Sequence, residues 1–237
     1  MTPRLSSAQS VIICTMIKAA IFDMDGVLID SVPSAYRAKT RVLKENYGID
    51  ITSVPDPHLE EHKGGSIKTL LKAVRESTKT EIDDNEFIDS IVAEFNRDLI
   101  ASNITVNAEL LTFLNDLKAH SIPLAVATAG TKISTANKLK ILGLTDFFDY
   151  VITSDDVTEH KPNPAVYLLA AQRLGIESAK SIVFEDSAAG VAAGLAAKAN
   201  VVGVTIYNSD KKAYPGTIIM IDNWADLTYT MLEILIR

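Results

Sequence analysis

The chain has 237 residues, of which 47% are hydrophobic and 22% charged, with a net charge of −7 at pH 7. This composition supplies enough apolar side chains for a packed core, and it excludes a disordered or fibrous chain. Because acidic residues are in excess, a basic nucleic-acid-binding face is not expected, and an anionic substrate would need a local positive site.

The N-terminal residues and the single cysteine, Cys14, indicate where the protein works. One cysteine excludes an internal disulfide and is typical of a reducing compartment. No run reaches the roughly 18–20 apolar residues of a membrane helix, and residues 1–20 lack a signal-peptide pattern. We therefore expect a cytoplasmic protein without a membrane partner, and a monomer because no coiled-coil seam is visible. If Met16 is the true start, residues 1–15 are a loose extension.

Short apolar runs without polar alternation predict strands that are buried on both faces. In chain order, they lie at 17–22, 122–127, 149–153, 181–184, 201–205 and 217–221. Helical patterns separate or follow most of these runs, at 107–120, 131–142, 163–174, 187–199 and 223–236. Strands that alternate with helices predict an α/β fold, here a Rossmann-like doubly wound parallel sheet.

The segment 33–103 interrupts this alternation, because it contains no convincing strand pattern. Helical patterns at about 33–47, 66–77 and 84–101 are separated by stretches rich in helix-breaking residues. We therefore predict a helical domain inserted after the first strand. The core domain would then comprise residues 16–32 and 104–237, with residues 33–103 as a cap.

Acidic residues follow two of the predicted strands, where ligands bind in an open parallel sheet. Asp23 and Asp25 come after the strand 17–22, and Glu185 and Asp186 follow the run SIVF. Carboxylates this close repel one another unless they share a proton or a cation. Oxygen ligands are those that Mg²⁺ prefers, so these four acids are candidate ligands of a magnesium ion.

Two further strand ends carry groups that suit a phosphate ester. Lys161, in HKPNP, supplies a positive charge, and Thr128 is followed by Ala129 and Gly130 near a predicted helix start. A hydroxyl and backbone N–H groups at such a position are suited to hold phosphate oxygens. With the acids, these residues meet the needs of phosphoryl transfer: a nucleophile, charge neutralisation and a proton donor.

The motifs FDMDG (22–26), VATAG (126–130), KPNP (161–164) and FEDS (184–187) occur in this order, each after a predicted strand. This ordered set resembles the haloacid dehalogenase superfamily, in its helical-cap group of small-molecule phosphatases and β-phosphoglucomutases. The resemblance covers about residues 16–222. It implies a phosphatase that hydrolyses a small phosphorylated metabolite, of the sugar or polyol phosphate class, with Mg²⁺.

The resemblance also implies a role for each motif residue. Asp23 would be the nucleophile that forms an aspartyl-phosphate. Asp25 would be the general acid and then the base, with its backbone carbonyl on Mg²⁺. Asp186 would be a metal ligand, and Glu185 a ligand or the partner of a metal-bound water. The phosphoryl group would be held by Thr128, Ala129 and Lys161.

Within the predicted cap, HKGGSIKTLL (62–71) resembles the substrate-recognition loop of the mutases. Lys63, Gly64 and Ser66 are therefore candidate substrate contacts, although they are equally consistent with an ordinary loop and helix start. Ile67 stands where the mutases carry an arginine, and Ala35 replaces a mutase histidine. These departures favour a phosphatase over a mutase.

Three alternatives remain open from the sequence. The first is a β-phosphoglucomutase-like hexose-phosphate mutase, and the second is a non-catalytic phosphate-sensing module similar to a receiver domain. The third is a zinc site at His58 and His62, which lie in an H-x-x-E-H pattern. Finally, Asp30 and Ser31 precede Pro33 and are expected to provide an N-cap for the following helix, since proline is favoured in a first helical turn.

Overall fold

The computed structural model describes residues 17–54, 67–207 and 214–236. Several predictions of the sequence analysis fall outside these ranges: the extension at 1–15, the cap residues Lys63, Gly64 and Ser66, and the alternative zinc site at His58 and His62.

In the part of the chain that the structure describes, six parallel strands form one sheet in the order β3-β2-β1-β4-β5-β6. The strands are β1 (Ala19–Phe22), β2 (Leu124–Ala127), β3 (Tyr150–Ile152), β4 (Ser181–Glu185), β5 (Asn200–Val204) and β6 (Ile219–Ile221). Every residue of β1, β2 and β4 is buried, which explains why their sequences are apolar without alternation. The predicted Rossmann-like α/β fold is confirmed.

Helices cover both faces of the sheet, and each face has its own apolar cluster. Alternate strand residues point to opposite faces, so Phe22 and Phe184 enter one cluster while Ile21 and Val183 enter the other. The helices of this part are α4 (Ala108–Ala119), α5 (Lys132–Ile141), α6 (Ala165–Arg173), α7 (Ala188–Ala196) and α8 (Tyr229–Leu235). No helix in the described ranges has the length and apolar character that a membrane crossing requires.

The helix predicted at 223–236 is wrong in its first part. A short 3₁₀ turn, Trp224–Asp226, comes first, and α8 begins only at Tyr229. Two side chains cause this division by capping: Asn223 accepts a hydrogen bond from the N–H of Ala225, and Thr228 accepts one from Met231. Each cap satisfies backbone donors at a helix start, so two short elements replace one longer helix.

Among the described residues, three helices lie between β1 and α4: α1 (Val32–Tyr47), α2 (Ile67–Thr78) and α3 (Asp84–Ala101). They enclose an apolar cluster of their own, which includes Leu43, Val74 and Phe87 and is separate from both sheet clusters. The ion pairs Arg37–Asp98 and Arg41–Glu94 join α1 to α3. A separate core is what an inserted helical domain needs.

Phe113 of α4 is 2% exposed and packs against the rings of Phe22, Phe184 and Trp224, with ring centroids 6.5, 5.5 and 5.7 Å away. Phe113→Ala should lower the free energy of unfolding by about 3–5 kcal/mol, because it leaves a cavity among these rings. Urea denaturation measures this loss. Ile133→Ala is the control, since Ile133 is 77% exposed and should change stability by no more than about 0.5 kcal/mol. Equal effects of both variants would contradict this account of the core.

Candidate active site

The register of the parallel strands determines the position of Asp23. Phe22 pairs with Val126 of β2 and with Phe184 of β4, and Asp23 is the next residue. Its N–H donates a hydrogen bond to the Phe184 carbonyl at 3.0 Å. Asp23 therefore lies between the carboxyl ends of β2 and β4, where its side chain is 9% exposed.

Lys161 reaches this point from the loop before α6, and its peptide bond to Pro162 is cis. Its Nζ donates to Asp23 Oδ1 at 2.6 Å, to Glu185 Oε1 at 2.5 Å and to the Ala127 carbonyl at 3.1 Å. An ammonium group has three donors, so these three acceptors satisfy it. The side chain is 8% exposed, and it ties the ends of β1, β2 and β4 together.

Glu185, the last residue of β4, is buried and accepts hydrogen bonds on both oxygens. Oε1 also accepts from the Tyr167 hydroxyl at 2.6 Å. Oε2 accepts from the Ser187 hydroxyl and from the N–H groups of Asp186 and Ser187, at 3.0–3.1 Å. A Cβ at Gly190 would lie 1.8 Å from Oε1, so only glycine lets α7 approach this closely.

Asp186 lies against the loop that follows β1. A Cβ at Gly26 would lie 1.9 Å from Asp186 Oδ2, and Gly26 has a φ of +85°, which favours glycine. Among the described residues, no group donates a hydrogen bond to this carboxylate. Gly26 therefore lets the loop that follows Asp23 approach Asp186, whose partly buried carboxylate accepts no hydrogen bond from the described residues.

The carboxylates of Asp23, Glu185 and Asp186 each place one oxygen within 4.8 Å of the others. Burial raises the pKa of Asp23 to about 7, although the charge of Lys161 opposes this shift. Burial and the neighbouring Asp23 charge raise the pKa of Asp186 to about 8. Burial alone would lower the pKa of Lys161, but the charges of Asp23 and Glu185 raise it above its ordinary value. Three acids around one ammonium leave a surplus of negative charge, which fits a divalent cation bound by oxygen.

Asp25 is held separately from this group. Its carboxylate accepts a hydrogen bond from Ser31 Oγ at 2.5 Å and from Lys138 Nζ at 2.5 and 2.6 Å, and its side chain is 36% exposed. Ser31 does occupy the N-cap position of α1, but its side chain makes no capping bond. The predicted N-cap position and early-helix proline are therefore confirmed, but the capping hydrogen bond is absent because the hydroxyl donates to Asp25 instead.

Thr128 follows β2 directly and is buried. Its N–H donates to the Ile152 carbonyl, and its Oγ1 accepts from the Gly130 N–H, both at 3.0 Å. The oxygen is thus fixed by an incoming hydrogen bond, which leaves the hydroxyl proton to donate elsewhere. Ala129 is exposed and follows at once, so the segment after β2 opens to solvent beside the buried threonine.

Three residues of this region were missed by the sequence analysis as functional: Ser31, Tyr167 and Lys138. Lys138 had a detectable signal, because it lies on the same helical stripe as Thr135, Leu139 and Leu142, all of which are buried. A lysine on an apolar stripe requires a partner in the interior. Tyr167 had no such signal, since an aromatic residue on a buried helix face is ordinary.

Comparison with known proteins gives a consistent result. A family model described as haloacid dehalogenase-like hydrolase matches residues 20–204. A phosphorylated carbohydrates phosphatase of Thermotoga maritima is 34% identical over 203 residues, covering 83% of this chain and 89% of that protein. A phosphoglycolate phosphatase of Neisseria meningitidis is 32% identical over 197 residues, covering 82% and 83%.

A solved structure agrees with these relatives. The HAD family hydrolase of Deinococcus radiodurans, crystallised with bound phosphate and sodium, is 25% identical with a TM-score of 0.70. The match covers 93% of this chain and 98% of that one. The family match spans β1 to β5 and includes all the acids and the lysine described above. The chain belongs to the haloacid dehalogenase-like hydrolase family.

Proposed function

We propose that the protein is a Mg²⁺-dependent phosphatase that hydrolyses a small phosphorylated metabolite, of the sugar or polyol phosphate class. One observation carries the proposal: Asp23, Lys161, Glu185 and Asp186 converge at the carboxyl ends of adjacent parallel strands. The named relatives support the same reaction, since both are phosphatases of small phosphate esters. One relative is named for phosphorylated carbohydrates and the other for phosphoglycolate. Sequence identity of 32–34% therefore does not determine the substrate of this protein.

The carboxylates of Asp23 and Asp186, with the backbone carbonyl of Asp25, would hold the magnesium ion. Glu185 was a candidate ligand, but both of its oxygens already accept hydrogen bonds. We therefore place it as the residue that positions Lys161 and the start of α7. When bound, Mg²⁺ would neutralise the acids and polarise the phosphoryl group.

Asp23 acts as the nucleophile in this proposal. Lys161 holds Oδ1, so Oδ2 attacks phosphorus, and the new O–P bond forms as the ester O–P bond breaks. Asp25 gives its proton to the leaving oxygen, so the alcohol departs neutral. The Thr128 hydroxyl, the Ala129 N–H and Lys161 would stabilise the phosphoryl oxygens.

Hydrolysis of the aspartyl-phosphate returns the enzyme to its starting state. Asp25, now a carboxylate, accepts a proton from water as the water oxygen attacks phosphorus. The Asp23–phosphorus bond breaks, and inorganic phosphate leaves. The helical insertion, residues 33–103, would act as a cap that excludes bulk water, and Lys63, Gly64 and Ser66 stay predicted substrate contacts.

The mutase alternative is not favoured. Ile67 begins α2 at the position where the mutases carry an arginine for a second phosphate, and Ala35 in α1 replaces their histidine. A mutase would interconvert hexose-phosphate isomers when supplied with a bisphosphate, whereas a phosphatase releases inorganic phosphate. The receiver-like alternative is also disfavoured, because helices are inserted after β1 and a second acid, Asp25, lies two residues after Asp23. Turnover measurements separate the two, since a receiver would be phosphorylated without multiple turnover.

Asp23→Asn should abolish turnover, because the amide is a poor nucleophile at phosphorus. A panel of phosphorylated metabolites with Mg²⁺, assayed for phosphate release, should show a loss of about 10³-fold or more. Circular dichroism should show an unchanged fold. Asp89→Asn, an exposed position in α3, is the control and should keep full activity. Unchanged turnover in Asp23→Asn would remove this residue from the mechanism.

Asp25→Asn should slow the reaction most for poor leaving groups, because an amide cannot protonate the departing oxygen. The measurement is kcat/KM, which includes the steps up to departure of the leaving group. For a sugar phosphate we expect a loss of about 10²–10⁴-fold. For p-nitrophenyl phosphate, whose phenolate departs without protonation, the loss should be much smaller. Equal losses on both esters would argue against proton transfer by Asp25.

The raised pKa values predict a pH-dependent effect of Mg²⁺ on stability. Asp23 and Asp186 titrate at about 7 and 8 in the folded protein instead of 3.8. Their contribution to stability is therefore fully present below about pH 4 and is lost as the pH rises through 7–8. Because Mg²⁺ binds the charged forms, about 10 mM MgCl₂ should raise the Tm more at pH 8 than at pH 6.

Thermal unfolding at both pH values measures this difference. In Asp186→Asn, the extra Mg²⁺-induced gain at pH 8 should be strongly reduced, because one charged ligand is absent. The same Mg²⁺-induced rise at pH 6 and pH 8 in the unmodified protein would show that these acids do not bind the ion.

A further inference from the structure

A second buried lysine lies outside the group of three acids. Lys138 is on α5, and its side chain is 5% exposed. Its Nζ donates to both oxygens of the Asp25 carboxylate, at 2.5 and 2.6 Å. Lys138 has no role in the reaction proposed above, and it is not among the residues that would hold the phosphoryl group.

Burying an ammonium group is unfavourable unless the charge is paired. For Lys138 the pairing comes from Asp25 and from the ring of Phe95, whose centroid lies 5.3 Å from Nζ. Phe95 belongs to α3 of the helical insertion, whereas Lys138 belongs to the core. This contact therefore joins a core helix, the loop after β1 and a helix of the inserted segment.

We propose that Lys138 is a positioning residue that holds the Asp25 carboxylate in the orientation needed for proton transfer. Ser31 and Lys138 both donate to Oδ1, and Lys138 also reaches Oδ2. When Asp25 is protonated on Oδ2, Oδ1 still accepts from both residues, so the acid keeps its orientation while Oδ2 gives its proton. Proton transfer depends steeply on such geometry. The inference rests on the proposed function, because it assigns Lys138 a role through the general acid.

A merely structural ion pair would have a different signature. Its loss would reduce the amount of folded protein and lower turnover equally for every substrate. A positioning role instead lowers kcat/KM for esters whose leaving oxygen needs a proton, and it spares esters with good leaving groups. Comparing an alkyl phosphate with an aryl phosphate therefore separates the two roles.

Lys138→Met keeps the length of the buried side chain and removes its charge. We expect kcat/KM for a sugar phosphate to fall about 10- to 100-fold, and for p-nitrophenyl phosphate by less than about 3-fold. Lys140→Met is the matched control, because Lys140 is exposed on the same helix, and it should change neither value. Equal losses on the two esters would overturn the inference.

A double variant tests whether Lys138 acts through Asp25. In the Asp25→Asn background, adding Lys138→Met should cause little further loss in kcat/KM, because the group that Lys138 positions is already inactive. If the kcat/KM losses of Asp25→Asn and Lys138→Met multiply in the double variant, Lys138 acts independently of Asp25 and the proposal is refuted. If Lys138→Met does not fold, Lys138→Gln provides the second variant. Its amide can donate one hydrogen bond to Asp25, so it should show a smaller but still ester-selective loss.

These outcomes distinguish this inference from the proposed function. If the unmodified protein releases no phosphate from any ester with Mg²⁺, the proposed function fails and the role of Lys138 fails with it. If the unmodified protein turns over normally and Asp25→Asn is selective for poor leaving groups but Lys138→Met is not, only the inference about Lys138 fails.

Discussion

The ammonium group of Lys161 is the interaction on which the rest of the site depends. It bonds to Asp23, Glu185 and the Ala127 carbonyl, and so links the ends of three adjacent strands. Without it, the buried acids would repel one another and would favour protonation. Even with it, burial keeps the pKa values of Asp23 and Asp186 raised to about 7 and 8. A bound cation, as proposed above, would favour the charged forms of these acids.

Two lysine–aspartate pairs lie at the site, one buried and one more accessible. The Asp23 side chain is 9% exposed and bonds to Lys161, which suits the proposed nucleophile because it must stay oriented. The Asp25 side chain is 36% exposed and bonds to Lys138, which suits the proposed acid because it must meet both a leaving group and water. Only Met24 lies between the two acids, so the environment changes from buried to partly exposed within two residues. Two identical side chains thus have different environments, which is how proteins assign different roles to similar acids.

Much of the fold was predictable because buried parallel strands and amphipathic helices leave clear periodic patterns. Helix α3 was predicted at 84–101 and is observed at Asp84–Ala101. The error at 223–236 arose where two capping side chains, Asn223 and Thr228, outweighed a continuous apolar pattern. The cap residues Lys63, Gly64 and Ser66 and the domain boundaries stay predictions.

By itself, the sequence determined the sheet class, the family resemblance and the acids and lysine that follow the strands, because each of these is a local pattern. Only the tertiary structure decided how those groups are held. Lys138 and Asp25 are separated by 113 positions and Lys161 and Asp23 by 138, so no local pattern encodes their contacts. No local pattern predicts the hydrogen bond from the Tyr167 hydroxyl to Glu185 either. Nor does one predict that the Ser31 hydroxyl bonds to Asp25 rather than to its own helix. Pairings of this kind depend on strand register and side-chain burial, which exist only once the sheet has formed.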